Sequence, residues 1–229
     1  MIELIPGVSR NTFRDHDPQA QAADAEYRVK RPAALQRAGY VCQGCGVKSV
    51  DGMEVHHRDC NHANNSEQNL APECVMCHPV NHIGELASRV TRADDSELAG
   101  GMSHLAYLPD LSQQDLSHLM RTIGHVLTSA NATEQQKADA KALHESLLPY
   151  SQYIETAWGS SKVAHFAIAL KEVALPQYEA RATPMAGLRV VFALGVVVKQ
   201  ARKFAAEFVS LPFDSWPSIA ARRLGARQN

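Results

Sequence analysis

Four cysteines in two Cys-x-x-Cys pairs, Cys42/Cys45 and Cys74/Cys77, are the residues best placed by type and spacing to do chemistry. Each pair forms a turn that offers two thiolates to one ion. Two such turns brought together complete a tetrahedral four-sulfur site with Zn–S near ~2.3 Å. Zinc is the natural occupant, because iron in the same coordination would be redox-active. The competing reading, buried thiols or disulfides, does not account for two pairs of identical spacing. Around the pairs stand His56, His57, Asn69, His78 and His82. His78 and His82 are four apart and share a helical face. Pro79 sits comfortably only in a first turn, which predicts a helix starting near His78. Cys60 and His62 lack a partner turn and read as incidental.

The elements that must position these residues follow from local signals. Tyr27–Ala38 reads as a helix running into the first cysteine turn, with Pro32 early in it and Gly39 as its stop. Val47–His57 is expected to form a hairpin around Asp51-Gly52, a turn dipeptide, and Asn61–Asn69 a polar loop. Ile83–Arg92 continues the His78 helix. The acidic, Gly-containing stretch Asp94–Ser103 divides the chain into residues 1–100, which carry the cysteines, and residues 101–229, a helical region.

In that second region Ser112-Gln-Gln-Asp115 resembles an N-terminal cap, and Leu116, Leu119, Met120, Ile123, Val126 and Leu127 follow at helical spacing. Thr133-Glu-Gln-Gln136 opens a second helix, Tyr150–Trp158 a third closed by Gly159, and Val163–Leu170 a fourth. Met185–Val209 is expected to be one long helix, with a buried strand as the alternative because of Val196–Val198. His104, His118, His125, His144 and His165 lack ligand spacing and read as structural or surface residues. The fold class is α+β, mostly α.

Composition bounds the function. The chain has 229 residues, 45% hydrophobic and 21% charged, which is ordinary for a globular protein. Five cysteines, four of them in metal spacing, point to a reducing compartment. MIELIPGVSR lacks a basic stretch followed by an apolar core, so no secretory signal is expected. The longest apolar run, Val190–Val198, falls well short of the ~20 residues a membrane span requires. A cytoplasmic, soluble protein is the expectation. Residues 1–100 contain ten Lys/Arg against fourteen Asp/Glu, and residues 101–229 thirteen against ten. A duplex-cleaving enzyme should be basic around its metal centre. Here Asp51–Glu97 holds three arginines against nine acids, which counts against DNA cleavage, although bound metal would offset part of that charge.

The order His56-His57, Asn69, His78, His82 resembles the HNH (ββα-metal) nuclease motif, and the flanking cysteine pairs resemble its zinc-containing branch. The resemblance implies an HNH-like, zinc-stapled ββα N-terminal domain. It makes His57 the general base that activates a water and Asn69 the residue orienting it. His56, His78 and His82 become ligands of a second divalent ion (Mg2+, Mn2+ or Ni2+). Imidazole titrates near neutral pH and a metal stabilises charge on a phosphodiester, so the chemistry is coherent.

A wider pattern covers about Ala34 to Gly159: LQRAGYVCQGCG, NNSEQNLAPECVMC and HLAYLPDLSQQDLSHLMRTI. It resembles the DotN (IcmJ) family of the Dot/Icm type IVB secretion systems. The phrase YLPDLSQQDLSHL weighs most, because nuclease chemistry does not require it. Members of that family carry an HNH-like zinc fold followed by helices. They serve as a non-catalytic subunit of the coupling complex, binding the C-terminal region of the coupling ATPase. The resemblance therefore implies partners in the ATPase and other coupling-complex subunits, protein transport, and recruitment from the cytoplasm to the inner membrane. The chain departs from the family in keeping His56, His57, Asn69, His78 and His82 together. Two functions stand: a zinc scaffold for substrate recruitment, and a metal-dependent HNH endonuclease with nucleic acid as its partner.

Overall fold

The computed structural model describes residues 4–9, 20–84, 103–204, 213–215 and 218. The fold is α+β and mostly helical. Helix α1 spans Ala20–Arg37, several residues longer at its start than Tyr27–Ala38. The segment AQAADAEYRVKR is rich in strong helix formers, so Pro32 lies inside the helix and not in its first turn. Gly39 stops it with φ +60°, a conformation glycine adopts without strain. The helix lies along the next strand, with Tyr27 Oη donating to the Val55 carbonyl at 3.0 Å and Arg31 Nη2 to that of Met53 at 2.9 Å.

Strand β1 (Met53–His57) pairs antiparallel with β2 (Leu70–Cys74), His57 opposite Leu70 and Met53 opposite Cys74. Helix α2 (His78–Asn81) follows, with Pro79 in its first turn as expected, so the order is strand, strand, helix. The hairpin expected around Asp51-Gly52 is not formed. β1 instead pairs across the 58–69 loop, and the segment before it forms the bridge Val41–Lys48 that closes the first cysteine turn. Gly52 serves a close approach: a Cβ there would lie 2.3 Å from the Phe204 ring. Ile83–Arg92 lies outside the described residues beyond Gly84, and so does most of the Asp94–Ser103 connector.

In the second half, β3 (His104–Tyr107) precedes α3 (Gln113–Thr128) and α4 (Glu134–Glu145), each capped as the sequence signals. Ser112 Oγ accepts from the Asp115 amide, and Thr133 and Gln136 form a reciprocal capping box. Then come α5 (Gln152–Trp158), closed by Gly159 at φ +80°, α6 (Val163–Glu172) and α7 (Leu175–Glu179). Up to Phe204 the long helix expected over Met185–Val209 is replaced by strand β4 (Leu188–Val191), which pairs with β3, and helix α8 (Leu194–Ala201); residues 205–209 lie outside the described residues. The segment thus does hold a mostly buried strand, the alternative reading, although Val196–Val198, the residues that suggested it, are helical. The buried Gln113 side chain seals the free edge of β4, accepting from the Val190 amide at 2.7 Å and donating to its carbonyl at 3.3 Å. A strand edge closed by a side-chain amide leaves no mark in hydrophobic period, which is why β4 reads as helix.

One continuous core runs from Met76, Val80 and Ile83 through Leu105, Leu116, Met120 and Ile123 to Val190 and Phe204. Gly124 allows α3 and α8 to touch, since a Cβ there would sit 2.5 Å from that of Ala201. Hydrogen bonds span the chain as well: Tyr178 Oη accepts from the Val8 amide and donates to its carbonyl, both at 2.9 Å.

Candidate metal centre

The two cysteine turns close on each other because their backbones are interlocked. The Gln43 amide donates to the Pro72 carbonyl at 2.8 Å, and Gly46, at φ +75°, returns its amide to the Cys42 carbonyl at 2.9 Å. Gly44 lets the second turn approach, since a Cβ there would meet Cys77 Cβ at 3.1 Å. All four thiols are buried and their sulfurs lie within 4.8 Å of one another. Cys45 Sγ is 3.7 Å from Cys74 Sγ, whereas a tetrahedron with ~2.3 Å arms has edges of about 3.8 Å. None of the five cysteines forms a disulfide.

Backbone amides aim at the sulfurs too, from Cys45 and Cys74 onto Cys42 Sγ at 3.4 and 3.2 Å. Hydrogen bonds with Cys42, Cys74 and Cys77 hold the Cys45 thiol far below its ordinary range, while those with Cys42, Cys45 and Cys74 push Cys77 far above it. Four thiols packed this tightly cannot all ionise without a cation among them. The geometry and chemistry of these four cysteines fit a metal ion.

The histidines divide. Successive side chains on a strand face opposite ways, and β1 carries Glu54 and His56 to one side and His57 to the other. On the first side His56, His78 and His82 bring ring nitrogens within 4.8 Å of one another. His56 Nδ1 and His82 Nε2 are 3.0 Å apart, and His78 Nδ1 meets Glu54 Oε2 at 2.6 Å. A carboxylate behind a histidine is the arrangement that orients a metal-binding imidazole. Burial, then the neighbouring His82 and His78, push His56 down to about 2. Burial and His78 push His82 down to about 3. Both rings are neutral at physiological pH, the form a metal requires. Burial also raises the Glu73 carboxyl to about 7; it accepts from Asn81 Nδ2 at 2.8 Å.

His82 is not on the α2 face with His78, because the helix ends at Asn81 and His82 adopts φ −132°, ψ 51°. The two rings still converge, through the bend and not through helical period.

No family model matches the chain, and no curated protein matches it either.

His57, on the other side, is 6% exposed. Its ring packs on Tyr27 of α1 at 5.2 Å and stacks on His62 at 4.9 Å. Its Nε2 is 2.9 Å from Asn65 Oδ1, while Asn65 Nδ2 donates to the Ala23 carbonyl at 3.0 Å. Asn69 is aimed elsewhere: Oδ1 accepts from the Asp59 amide at 3.0 Å, and Nδ2 donates to Asp59 Oδ1 and to the Asn64 carbonyl. It staples the 59–64 loop, and Asn65 is the residue that holds His57.

Sequence reasoning missed four residues of these sites. Glu54 was legible in principle, two positions before His56 and so on the same strand face. Asn65 carries no signal in a polar loop. His118 and Arg121, one helical turn apart on α3, reach the cysteines: His118 Nε2 donates to the Cys45 carbonyl at 2.7 Å, and Arg121 Nη1 points at Cys45 Sγ at 3.8 Å. Of the other scattered histidines, His144 donates to the Phe192 carbonyl at 2.8 Å, and His104 and His165 each meet a serine hydroxyl at 2.8 Å. Among the described residues, neither Cys60 nor His62 joins a metal-ligating group. Among them, too, no helix is long and apolar enough to cross a membrane.

Proposed function

We propose that this chain is a zinc-binding, HNH-like scaffold subunit of a type IVB secretion coupling complex, docking on the C-terminal region of the coupling ATPase and supporting substrate recruitment. Zinc at the four cysteines supplies folding energy and no chemistry. The observation that carries the non-catalytic reading is the burial of His57. A general base must come within hydrogen-bond reach of the water it deprotonates, and His57 instead lies under α1 with its Nε2 committed to Asn65. The secretion role rests on the resemblance of YLPDLSQQDLSHL. In this fold that phrase has structural work: it ends β3, caps α3 through Ser112, seals β4 through Gln113 and places His118 on the Cys45 carbonyl.

A second reading, a metal-dependent HNH endonuclease, is favoured by the convergence of His56, His78 and His82 with Glu54 behind His78. One pair of assays separates the two. Purified protein is incubated with supercoiled plasmid and Mg2+, Mn2+ or Ni2+, and separately with the immobilised C-terminal region of the coupling ATPase. The scaffold reading expects intact plasmid, and ATPase capture that survives His57→Ala. Nicking by the wild type that disappears in His57→Ala, without ATPase capture, overturns it.

A further inference from the structure

We infer that Arg121 is the counter-charge of the metal–thiolate group, reaching it from the helical half of the chain and setting how tightly the metal is held. The inference rests on the metal reading of the four cysteines and goes beyond it to a positioning residue 44 or more places from any of them in sequence. A guanidinium stays protonated throughout the accessible pH range, and a buried charge is costly unless it is paired. Arg121 is 7% exposed. Its contacts are the Cys45 sulfur at 3.8 Å, the face of Phe204 at 5.7 Å and the Nδ1 of His118. Among the described residues no carboxylate pairs with it. Among those residues, the one group in contact with it that can carry a full negative charge is the Cys45 thiol.

The hydrogen bonds agree on a single protonation state. His118 donates from Nε2 to the Cys45 carbonyl, so its Nδ1 carries a lone pair, and that is the atom Arg121 Nη2 donates to. The neutral Nε2–H tautomer satisfies both. Four thiolates around one divalent ion leave a net charge of about −2 on the group. A cation locked at one of the sulfurs offsets part of that charge in a site where water cannot. The same two side chains fasten α3 to the first cysteine turn, so the half of the chain without metal ligands bears on metal retention.

Groups that orient or neutralise metal ligands typically change affinity by about 10- to 100-fold when removed. Arg121→Met keeps bulk and loses charge, and Arg121→Lys keeps charge and loses the fork that reaches Cys45 Sγ and His118 Nδ1 together. Each variant and the wild type are loaded with Zn2+ and competed with a chromogenic chelator. Loading with Co2+ reports the thiolate-to-metal charge-transfer band. Thermal unfolding is recorded with and without metal. Arg121→Met should give up zinc about 10- to 100-fold more readily, shift the cobalt band, and lose part of the stabilisation that metal confers. Arg121→Lys should retain most of the metal increment while shifting the band. A purely structural arginine would lower the metal-free and metal-loaded forms alike and leave affinity and band unchanged; that result overturns the inference. Should Arg121→Met not fold, Arg121→Lys decides: complete loss of its metal increment shows that charge is not what counts. Failure of the wild type to take up either metal removes the metal reading itself, a distinguishable outcome.

Discussion

The cysteine cluster and the histidine cluster sit on adjoining parts of one small ββα unit, yet they are built differently. The four sulfurs are held by interlocked backbone, by glycines where a Cβ would collide, and by Arg121 and His118 from α3. The three histidines converge from β1, α2 and the bend at its end, steadied by Glu54, which also lies 3.6 Å from Lys203. The first arrangement ties distant parts of the chain together, so its loss should cost the fold. The second can be emptied or altered with the scaffold left standing. Two candidate metal sites can therefore share one unit while depending on the fold to different degrees.

Cys74→Ser should break the comparison most severely. Structural zinc binding is worth roughly 10–16 kcal/mol in small metal domains, as much as the ~5–15 kcal/mol total stability of a typical protein. Loss of cooperative thermal unfolding by circular dichroism is expected, and a stable, metal-free Cys74→Ser protein would sink the metal assignment. Phe204→Ala comes next, costing about 3–5 kcal/mol, because the ring fills the space over Gly52 and under Arg121. Urea unfolding reads that loss; a cost below about 1 kcal/mol would show that this plug does not join the halves energetically.

Asn65→Ala removes the partners of His57 and of the Ala23 carbonyl and should cost about 1–3 kcal/mol. Metal content should not change, and plasmid cleavage should not appear. The smallest effect on stability belongs to Glu54→Gln. It should weaken divalent-ion binding at the histidine cluster by about 10- to 100-fold, measured by calorimetric titration of the zinc-loaded protein with Ni2+. The melting temperature of the zinc-loaded form should stay where it was. A fall in that temperature equal to the one in Phe204→Ala would erase the distinction between the clusters.

Much of this was legible in the sequence where a local rule governs. The cysteine spacing, Pro79 at the start of α2, the stop at Gly39 and the caps at Ser112 and Thr133 are each written in a few adjacent residues. The features that were not legible depend on residues far apart. Gly52 looks like a turn residue, but it is needed because Phe204 arrives some 150 positions later. β4 looks helical because its edge is closed by Gln113, and its partner β3 lies before α3. Asn65, not Asn69, meets His57 because the 59–64 loop folds back on Asn69. Arg121 and His118 are invisible as parts of a metal site because α3 announces itself only as an amphipathic helix.

The most direct test is the zinc content of purified protein after exhaustive dialysis against EDTA, compared between wild type, His56→Ala and Cys74→Ser. The account predicts about one retained zinc per chain in the first two and none in the third. Zinc lost equally from wild type and Cys74→Ser, or retained by wild type but lost in His56→Ala, would contradict it.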